Sequence, residues 1–570
     1  MRQIFYSRFY WFILGTILFI DQSFATDTPK LPRLVLQITV DQLRGDLVNR
    51  YGAGLENGGF NYLLSHGAVF TDAHHRHANT ETVVGHTTLA TGTDPAIHGM
   101  ISNVWIDRKT GATVYNVQDP DYPLVGAAGT DKKTEIDPTQ RAATTDGRSP
   151  RSILTSTIGD EIRLHFGTQA KVFSVSVKDR AAISMGGHSG QAYWFSKSEG
   201  RFVTSSYYRK DYPDWVTAWN ASGKVASYAG REWKLTLDRS LYLFADKDDQ
   251  PWEMDLPGWG RTFPHHYGPV DGKFYTGFLT MSPAGDELTV DFAKALLDNE
   301  KLGQDEIPDY LSISLSSTDY VGHVFGPSSL EAEDNIKRLD RTLQNLLEYV
   351  DKKVGLDKTL IVLSADHGAT EATDYLKTLG IESGQFNFEK AEKEPWLARL
   401  RKRFGLKKGG LIKGFIKPYV YLNHTDIAKA GLNLDEVEGA VAEELQKLPG
   451  IAYAVTSSSL RRGTVPDTEV MQAVLANFNT DRSGDIHIVF EPHWYVADFD
   501  GMHVTSVHGS PWSYDTYVPL IFSGPGIRPD HIYRRVETVD VAATIAELLG
   551  TKPPSGSAGV PLTEVFESNE

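Results

Sequence analysis

The chain has 570 residues, carries a formal net charge of −16 and contains no cysteine. The acidic balance argues against nucleic-acid binding as the function, because proteins of that class show a basic surface. The lack of cysteine excludes disulfides, thiolate metal sites and cysteine catalysis. With 41% hydrophobic and 23% charged residues, the composition is that of a soluble globular protein. Because there is no cysteine, any metal must bind mainly to His, Asp or Glu side chains.

The first 25 residues have the order of regions found in a secretory signal peptide. Arg2 and Arg8 precede an apolar run at 11–20, and Ser23-Phe24-Ala25 offers a cleavage site. An uncleaved membrane anchor is the alternative, but the run is shorter than the roughly 20 residues of a membrane span. We therefore predict a signal peptide over 1–25 and a periplasmic or secreted mature chain, 26–570, without a further transmembrane span.

The mature chain alternates between predicted strands and helices. Strands are predicted at 34–40, 171–177, 310–315, 360–364 and 518–522, and helices at 85–92, 155–166, 290–302, 330–354 and 536–549. This alternation predicts an α/β fold with a mostly parallel central sheet covered by helices on both faces. Two irregular sections, at about 186–287 and about 373–505, are predicted as insertions into a single catalytic domain. The second includes a predicted helix at 433–448 and strands at 451–455 and 486–490.

The stretch 79–99, NTETVVGHTTLATGTDPAIHG, contains the candidate nucleophile Thr82. Thr82 lies at or just before the start of a predicted helix. Free backbone N–H groups and the positive end of the helix dipole favour an anion at such a position. A threonine hydroxyl is a candidate nucleophile only if something lowers its pKa, so the function of Thr82 depends on what surrounds it.

Four short segments carry residue types that ligate metals, and three of them come directly after apolar runs. They supply Asp41 after the first strand, Asp319 and His323 after 310–315, Asp366 and His367 after 360–364, and His508 before the last predicted strand. In open α/β sheets, ligands bind beyond the carboxyl ends of the strands, so we expect the first three segments to converge there. Three aspartates and three histidines are enough for two zinc ions with open positions.

This ligand set, together with a threonine at a helix start, resembles the alkaline phosphatase superfamily and, within it, the exported phosphatases of the PafA type. The type I phosphodiesterases and nucleotide pyrophosphatases are wider relatives. The resemblance extends from the first predicted strand to the last predicted helix. It implies two zinc ions, one held by Asp319, His323 and His508, the other by Asp41, Asp366, His367 and the Thr82 oxygen.

Three further residues match the PafA type. Asn103 matches an asparagine that contacts a phosphate oxygen, and Lys178 and Arg180 match a lysine and arginine pair after a core strand. Without that context, the triplet 178–180 would be interpreted as a solvated strand end. Two cations suit the extra negative charge of a phosphate monoester. The resemblance thus implies an alkaline phosphatase that hydrolyses small-molecule phosphate monoesters, with broad specificity, through a phospho-threonine intermediate.

Enzyme classes that share this architecture differ in the nucleophile that they use. Sulfatases need a Cys/Ser-x-Pro-x-Arg motif, which has no counterpart at the matching place, and cofactor-independent phosphoglycerate mutases use a serine in the cytosol. A phosphodiesterase or nucleotide pyrophosphatase stays open, since its threonine and both metal sites would look the same. A non-catalytic metal- or phosphate-binding protein on the same scaffold is the remaining alternative.

Two segments outside these motifs have distinctive composition. The oxygen-rich segment 477–485 lacks EF-hand spacing, and we interpret it as a turn, with an additional structural Ca²⁺ as the alternative. The basic segment 399–417 is either a patch for an anionic lipid or polymer, or a solvated helix and loop. We favour the solvated helix and loop. The natural substrate and the oligomeric state are left open by the sequence.

Overall fold

Ten strands form one mixed sheet in the computed structural model, which describes residues 31–499 and 502–566. The order across the sheet is Asp530–Ile532, Gly67–His74, Tyr517–Ser523, Thr359–Ser364, Leu34–Val40, Asp309–Leu315, Val172–Ser176, Gln191–Ser196 and Arg201–Val203. The tenth strand, Val536–Glu537, also pairs with Gly67–His74. The predicted signal peptide, 1–25, lies outside the described residues.

The five strands from Thr359–Ser364 to Gln191–Ser196 are parallel to one another. Every residue of the central strand, Leu34–Val40, is buried. Such a fully buried, mostly apolar run is typical of a strand covered on both faces. The predicted α/β fold with a mostly parallel sheet is confirmed.

One strand runs against the others and explains the position of His508. Tyr517–Ser523 is antiparallel to both Thr359–Ser364 and Gly67–His74. Its first residue therefore lies at the edge of the sheet where the parallel strands end. The segment before this strand, which contains His508, thus reaches the same edge as the segments that follow the parallel strands.

Helices cover both faces of the sheet. Leu34, Leu36, Ile38 and Val40 belong to one hydrophobic cluster, and Val35 belongs to another, because successive strand residues point to opposite faces. The first cluster includes the helices Pro283–Asn299, Ser317–Phe325 and Leu330–Lys353, and the second includes Ile158–Phe166 and Asp540–Leu549. The helices Thr82–Thr91 and Asp179–Gly186 pack against each other, and Asp179–Gly186 also packs against the strands Val172–Ser176 and Gln191–Ser196.

Four helices begin at residues other than the predicted ones. The helix predicted at 85–92 is Thr82–Thr91, and the helix predicted at 155–166 begins at Ile158, after a capping box at Thr157. The helix predicted at 290–302 is Pro283–Asn299, because Ser282 caps it and Pro283 suits its first turn. The helix predicted at 536–549 begins at Asp540, because Val536–Glu537 pairs with the sheet.

The first section predicted as an insertion, about 186–287, begins within the central sheet. Its strands Gln191–Ser196 and Arg201–Val203 form one end of that sheet. Only the residues after Val203 leave the sheet, and their short elements are Asp214–Asn220, Glu232–Trp233, His265–His266 and Tyr275–Thr280. These two edge strands were not predicted, because the Gly- and aromatic-rich sequence around them shows only weak periodicity.

The second section has a sheet and a core of its own. Four antiparallel strands occur in the order Ile412–Ile416, Tyr419–Leu422, Ile486–Phe490 and Ile451–Thr456. The helices Pro395–Phe404 and Leu434–Leu445 pack on it. The helix predicted at 433–448 and the strands predicted at 451–455 and 486–490 are therefore present. Across residues 31–499 and 502–566, no helix combines the length and the apolar character that crossing a bilayer requires.

Candidate active site

The segments predicted to carry metal ligands meet at one edge of the central sheet. Asp41 follows the strand Leu34–Val40 directly. Asp319 and His323 lie on the helix Ser317–Phe325, which begins just after the strand Asp309–Leu315. Their neighbours at this edge are Asp366, His367 and His508. The structure thus brings together side chains that are separated by up to several hundred residues in the sequence.

Asp41, Asp366 and His367 form a first group, in which one ligand atom from each lies within 4.8 Å of the others. His367 Nε2 lies 3.5 Å from Asp41 Oδ1 and 3.4 Å from Asp366 Oδ2. All three side chains are fully buried. Within the described part of the chain, Asp41 Oδ1 and His367 Nε2 have no hydrogen-bond partner, and Asp366 Oδ2 lies 3.0 Å from His86 Nδ1. Buried polar atoms without partners are costly, and a bound cation would satisfy them.

Asp319, His323 and His508 form a second group. Asp319 Oδ1 lies 3.3 Å from His323 Nε2 and 3.6 Å from His508 Nε2. The Nδ1 atoms of these rings lie 2.7 Å from the carbonyl oxygens of Ser506 and Thr80, respectively. Such outer hydrogen bonds fix the ring orientation and leave Nε2 as the ligand atom.

His367 reaches both groups. Its ring stacks on the ring of His508 with centroids 3.6 Å apart. Asp319, His367 and His508 also offer ligand atoms within 4.8 Å of one another. Burial lowers the pKa of both His367 and His508, so each ring is neutral at neutral pH and keeps a lone pair for a metal ion.

The three aspartates carry more negative charge than the neighbouring lysine balances. Lys178 Nζ lies 2.8 Å from Asp41 Oδ2 and also pairs with Asp319. Burial and the carboxylate of Asp366 raise the pKa of Asp41 well above its usual value. Burial would raise the pKa of Asp319 as well, but Lys178 and the nearby histidines lower it well below its usual value. This buried excess of carboxylate and neutral imidazole ligands fits divalent cations such as zinc.

Thr82 is the first residue of the helix Thr82–Thr91. Gly85 lets this helix approach the ligands, because a Cβ atom there would lie 1.9 Å from the carbonyl oxygen of Asp366. One turn after Thr82, His86 Nδ1 lies 3.0 Å from Asp366 Oδ2. The helix start and the first ligand group are thus packed directly against each other.

The three residues predicted to bind phosphate surround the start of this helix. An Arg180 guanidinium nitrogen lies 3.4 Å from Thr82 Oγ1. The side-chain oxygen of Asn103 accepts a hydrogen bond of 3.1 Å from the Val83 N–H. That bond leaves the amide nitrogen of Asn103 as the group that can donate to a ligand. Lys178 comes immediately before the helix Asp179–Gly186, which carries Arg180.

Several residues at this site have no counterpart among the predicted ones. Gln42 has a positive φ of 66° and donates from its backbone N–H to Asp366 and from its side chain to Asp319. Asp137 forms an ion pair of 2.6 Å with Arg180. The spacing of four residues between Thr82 and His86 is a helical signal that could have revealed His86. Asp137 belongs to no motif, and its contact with Arg180 is visible only in the fold.

Lys417 departs from the solvated character predicted for the segment 399–417. In the helical part, Arg399 and Arg403 form surface ion pairs with Glu444 and Glu436. Lys417, in contrast, is largely buried and donates a hydrogen bond to the carbonyl oxygen of His508. Its ammonium lies 3.9 Å from a Glu81 carboxylate oxygen, so it belongs to the surroundings of the site.

The oxygen atoms of the segment 477–485 are used in local contacts. The side-chain oxygen of Asn479 accepts hydrogen bonds from the backbone N–H groups of Asp481 and Arg482. Asp485 pairs with Arg108 at 2.8 Å and with His424 at 2.7 Å. Such contacts are typical of an Asx turn before a strand, and a calcium ion there stays a prediction.

Comparison with known proteins gives full-length matches. A sequence profile of the type I phosphodiesterase / nucleotide pyrophosphatase family matches residues 35–511. The chain is 34% identical over 547 residues to a Myroides odoratus protein named calcium-transporting ATPase, covering 95% of this chain and 96% of that one. It is 34% identical over 545 residues to alkaline phosphatase PafA from Elizabethkingia meningoseptica, with the same two coverages.

Solved structures agree with these matches. The crystal structure of wild-type PafA has a TM-score of 0.86 and 33% identity to this chain, and the match covers 94% of this chain and 99% of PafA. A second structure, with a TM-score of 0.85, is of a PafA variant substituted at a threonine, an asparagine, a lysine and an arginine. The fold and the full-length similarity define a phosphatase of the alkaline phosphatase superfamily.

Within that superfamily, the chain belongs to the type I phosphodiesterase / nucleotide pyrophosphatase family, and it is of the PafA type. The resemblance inferred from Thr82 and the ligand segments is therefore confirmed, as is the prediction of a phosphatase.

Proposed function

We propose that the protein is an exported, zinc-dependent alkaline phosphatase that hydrolyses phosphate monoesters of broad structure through a phospho-threonine intermediate on Thr82. The observation that carries this proposal is the contact of the Thr82 hydroxyl with Arg180, at 3.4 Å, beside two groups of buried Asp and His ligands. The predicted signal peptide over 1–25 supports export.

The spacing of the substituted residues in the PafA variant supports the four catalytic assignments. In that variant, the threonine and asparagine are 21 residues apart, and the lysine and arginine are two apart. Thr82 and Asn103 are also 21 residues apart here, and Lys178 and Arg180 are also two apart. The four positions therefore correspond in type, order and local spacing.

Two divalent cations fit the ligand groups, and we assign the ligands as the resemblance implies. One ion would be held by Asp41, Asp366, His367 and the Thr82 oxygen, and the other by Asp319, His323 and His508. When bound, the ions supply positive charge to the attacking and leaving oxygens of an in-line displacement. The neutral imidazoles and the unpartnered carboxylate and imidazole atoms support this assignment.

The chain's own residues perform the remaining work. Thr82 Oγ1 loses its proton and attacks phosphorus, and the bond from phosphorus to the ester oxygen breaks as the alcohol departs with a proton. Arg180, Asn103 and the N–H groups at the helix start donate to the nonbridging oxygens. Water then cleaves the phosphorus–Oγ1 bond, which releases phosphate and restores the Thr82 hydroxyl.

The charges near Thr82 favour a monoester over a diester. A monoester presents one more anionic oxygen than a diester, and two side-chain cations, Lys178 and Arg180, are available for it. The ammonium of Lys178 pairs with Asp41 and Asp319 in this structure, and we assign it to a phosphate oxygen in the substrate complex. Phosphodiesterase activity is the second candidate, because the matched family includes enzymes of that type.

The test is kcat/KM of the mature, zinc-loaded protein on an aryl phosphate monoester and on the matching aryl diester. We expect a strong monoester preference. Thr82→Ala should lower kcat/KM for the monoester by at least about 10³-fold, because the nucleophile is lost. Lys178→Ala should weaken monoester hydrolysis selectively. A diester preference would contradict the proposal, and inactivity on both substrates with metal bound would favour a non-catalytic binding protein.

A further inference from the structure

A cavity of about 100 Å³ lies beside the candidate phosphate site and has two chemically different parts. One part includes Asn103, Arg180, His323 and His508 of the site described above, together with the charged side chains of Glu81, Asp137, Asp319 and Lys417. The other part is apolar and is lined by Met254, Leu256, Met281, Val324, Val504 and Val507. A group bound to phosphorus would therefore extend from a charged environment into an apolar one.

The apolar part is built where the two irregular sections meet. Val504, at the end of the second section, and Val507, just after it, share a small hydrophobic cluster with Tyr495 and Ala497. Met254, from the first section, packs against this cluster. Both sections thus contribute side chains to one surface of the cavity.

Hydrogen bonds attach this apolar surface to the helix that carries His323. The backbone N–H of Met254 donates to the carbonyl oxygen of Val324 at 2.9 Å. The backbone N–H of Thr505 donates to the His323 carbonyl at 2.9 Å, and the Thr505 hydroxyl donates to Val324 at 2.7 Å. The apolar residues are consequently held in a fixed position relative to a ligand of the second group, without requiring a closing motion.

The size and lining of the cavity determine what would bind there. Met281, Val324, Val504 and Val507 are buried, so a ligand that enters contacts apolar surface that is already shielded from water. An apolar cavity of about 150 Å³ holds one benzene molecule, so this smaller cavity of about 100 Å³ has room for a short alkyl chain. A hydroxyl or charged group placed there would lose its water without gaining a partner.

We propose that this cavity binds the alcohol part of the substrate, so that phosphate monoesters of small apolar alcohols are preferred over those of polyols. The inference rests on the proposed function, because it needs the phosphorus atom to lie next to Thr82. It narrows the substrate class of that site. Broad specificity then applies among apolar leaving groups that fit.

The wild-type protein provides the main test through a series of n-alkyl phosphates from ethyl to pentyl. Their leaving alcohols have similar reactivity and differ chiefly in apolar size. We expect kcat/KM to rise about two- to fourfold per methylene until the cavity is filled. Glycerol 3-phosphate, which matches propyl phosphate in carbon number, should be at least about tenfold poorer than propyl phosphate. A flat series, or glycerol 3-phosphate equal to propyl phosphate, would overturn the inference.

Variants locate the effect. Met254→Ser and Val504→Ser should each lower the ratio of kcat/KM for pentyl phosphate to that for ethyl phosphate by about fivefold or more. Leu241→Ser is the matched control, because Leu241 lies in the same section and is 57% exposed. It should keep the wild-type ratio. An unchanged ratio in folded Met254→Ser and Val504→Ser would overturn the inference, and the wild-type series decides if they do not fold.

The outcomes separate this inference from the function on which it rests. If Thr82→Ala abolishes hydrolysis of every alkyl phosphate while the wild-type series is flat, only the leaving-group site is wrong. If hydrolysis of the series does not depend on Thr82, the proposed function itself is wrong. A rising, Thr82-dependent series supports both.

Discussion

The charged and apolar parts of the cavity differ in how the chain builds them. The charged part lies beside the ligand groups, whose Asp41, Asp319 and Asp366 come from segments that follow three adjacent buried strands. The apolar part comes from two irregular sections, represented by Met254 and Val504. The sheet thus fixes the residues of the proposed chemistry, while the sections form the surface that would select the leaving group. Changes in the sections can alter selection without displacing the ligands.

The largest effect is expected when the charged part loses a carboxylate shared by several partners. Asp319 faces His323 and His508 and pairs with Lys178. Asp319→Ala should remove about one bound ion per chain, measured by elemental analysis. It should also lower kcat/KM by at least about 10³-fold, since several kcal/mol of transition-state stabilisation would be lost.

Asp374→Ala is the control for this change, because Asp374 is an exposed carboxylate paired with Lys377 on the helix Thr373–Thr378. It should keep both the ion content and the activity of the wild-type protein. An Asp319→Ala protein with the full ion content would contradict the ligand assignment.

A smaller effect on activity is expected when Arg180, beside Thr82, is retained but loses the carboxylate that orients it. Asp137 and Arg180 are both buried and lie 2.6 Å apart. Asp137→Asn should lower kcat/KM for an aryl monoester by about 10- to 100-fold, because Arg180 is no longer held by a charged hydrogen bond. The diester rate should fall less, since fewer anionic oxygens need Arg180.

The ratio of monoester to diester kcat/KM distinguishes positioning from loss of structure. Asp137→Glu keeps the charge and should recover part of the monoester preference. If Asp137→Asn lowered both rates equally, Asp137 would be a structural residue without a specific role in phosphate binding.

The smallest effect on activity is expected from a substitution that changes the stability of the helix joining both parts of the cavity. Ser317–Phe325 carries Asp319 and His323 as well as the apolar Val324. At its start, the carboxylate of Asp286 accepts a hydrogen bond of 3.0 Å from the Ser317 N–H. Burial raises the pKa of Asp286 to about 7.

The raised pKa of Asp286 fixes the direction of its pH effect. The folded protein binds the Asp286 proton more tightly than the unfolded chain does. The contribution of protonated Asp286 to stability is therefore fully present below about pH 4 and is lost as pH rises through 7. We expect Asp286→Asn to gain stability relative to the wild-type protein over that range, by up to about 4 kcal/mol. Thermal unfolding of both proteins from pH 4 to 8 measures this difference in stability. Parallel profiles of stability against pH would contradict this account.

The fold and the ligand segments could be predicted because local patterns determine them. Leu34–Val40 and Thr359–Ser364 are mostly apolar runs, and the residues just beyond them are Asp41 and, one residue later, Asp366. A run of this kind predicts a buried strand, and the sheet then determines where the next side chains lie. His508 was predicted as a candidate ligand from its residue type ahead of the last predicted strand, and the antiparallel direction of Tyr517–Ser523 explains its place at this edge.

Other parts of the site could not be predicted, because they depend on contacts between distant segments. Asp137 matters through Arg180, and Lys417 matters through Glu81 and the His508 carbonyl. Met254 has no distinguishing neighbours in the sequence, and its place on the cavity surface results from packing against residues more than 200 positions away. No periodicity in the sequence encodes such contacts.

The central claim is that the charged part transfers the phosphoryl group through Thr82. The most direct measurement is rapid acid quenching of the zinc-loaded protein during turnover of an aryl monoester labelled at phosphorus, followed by peptide mass spectrometry. The account predicts one phosphoryl group on Thr82 that disappears when the substrate is exhausted and is never formed in Thr82→Ala. Turnover with the label on another residue, or with no label on Thr82, would contradict the account.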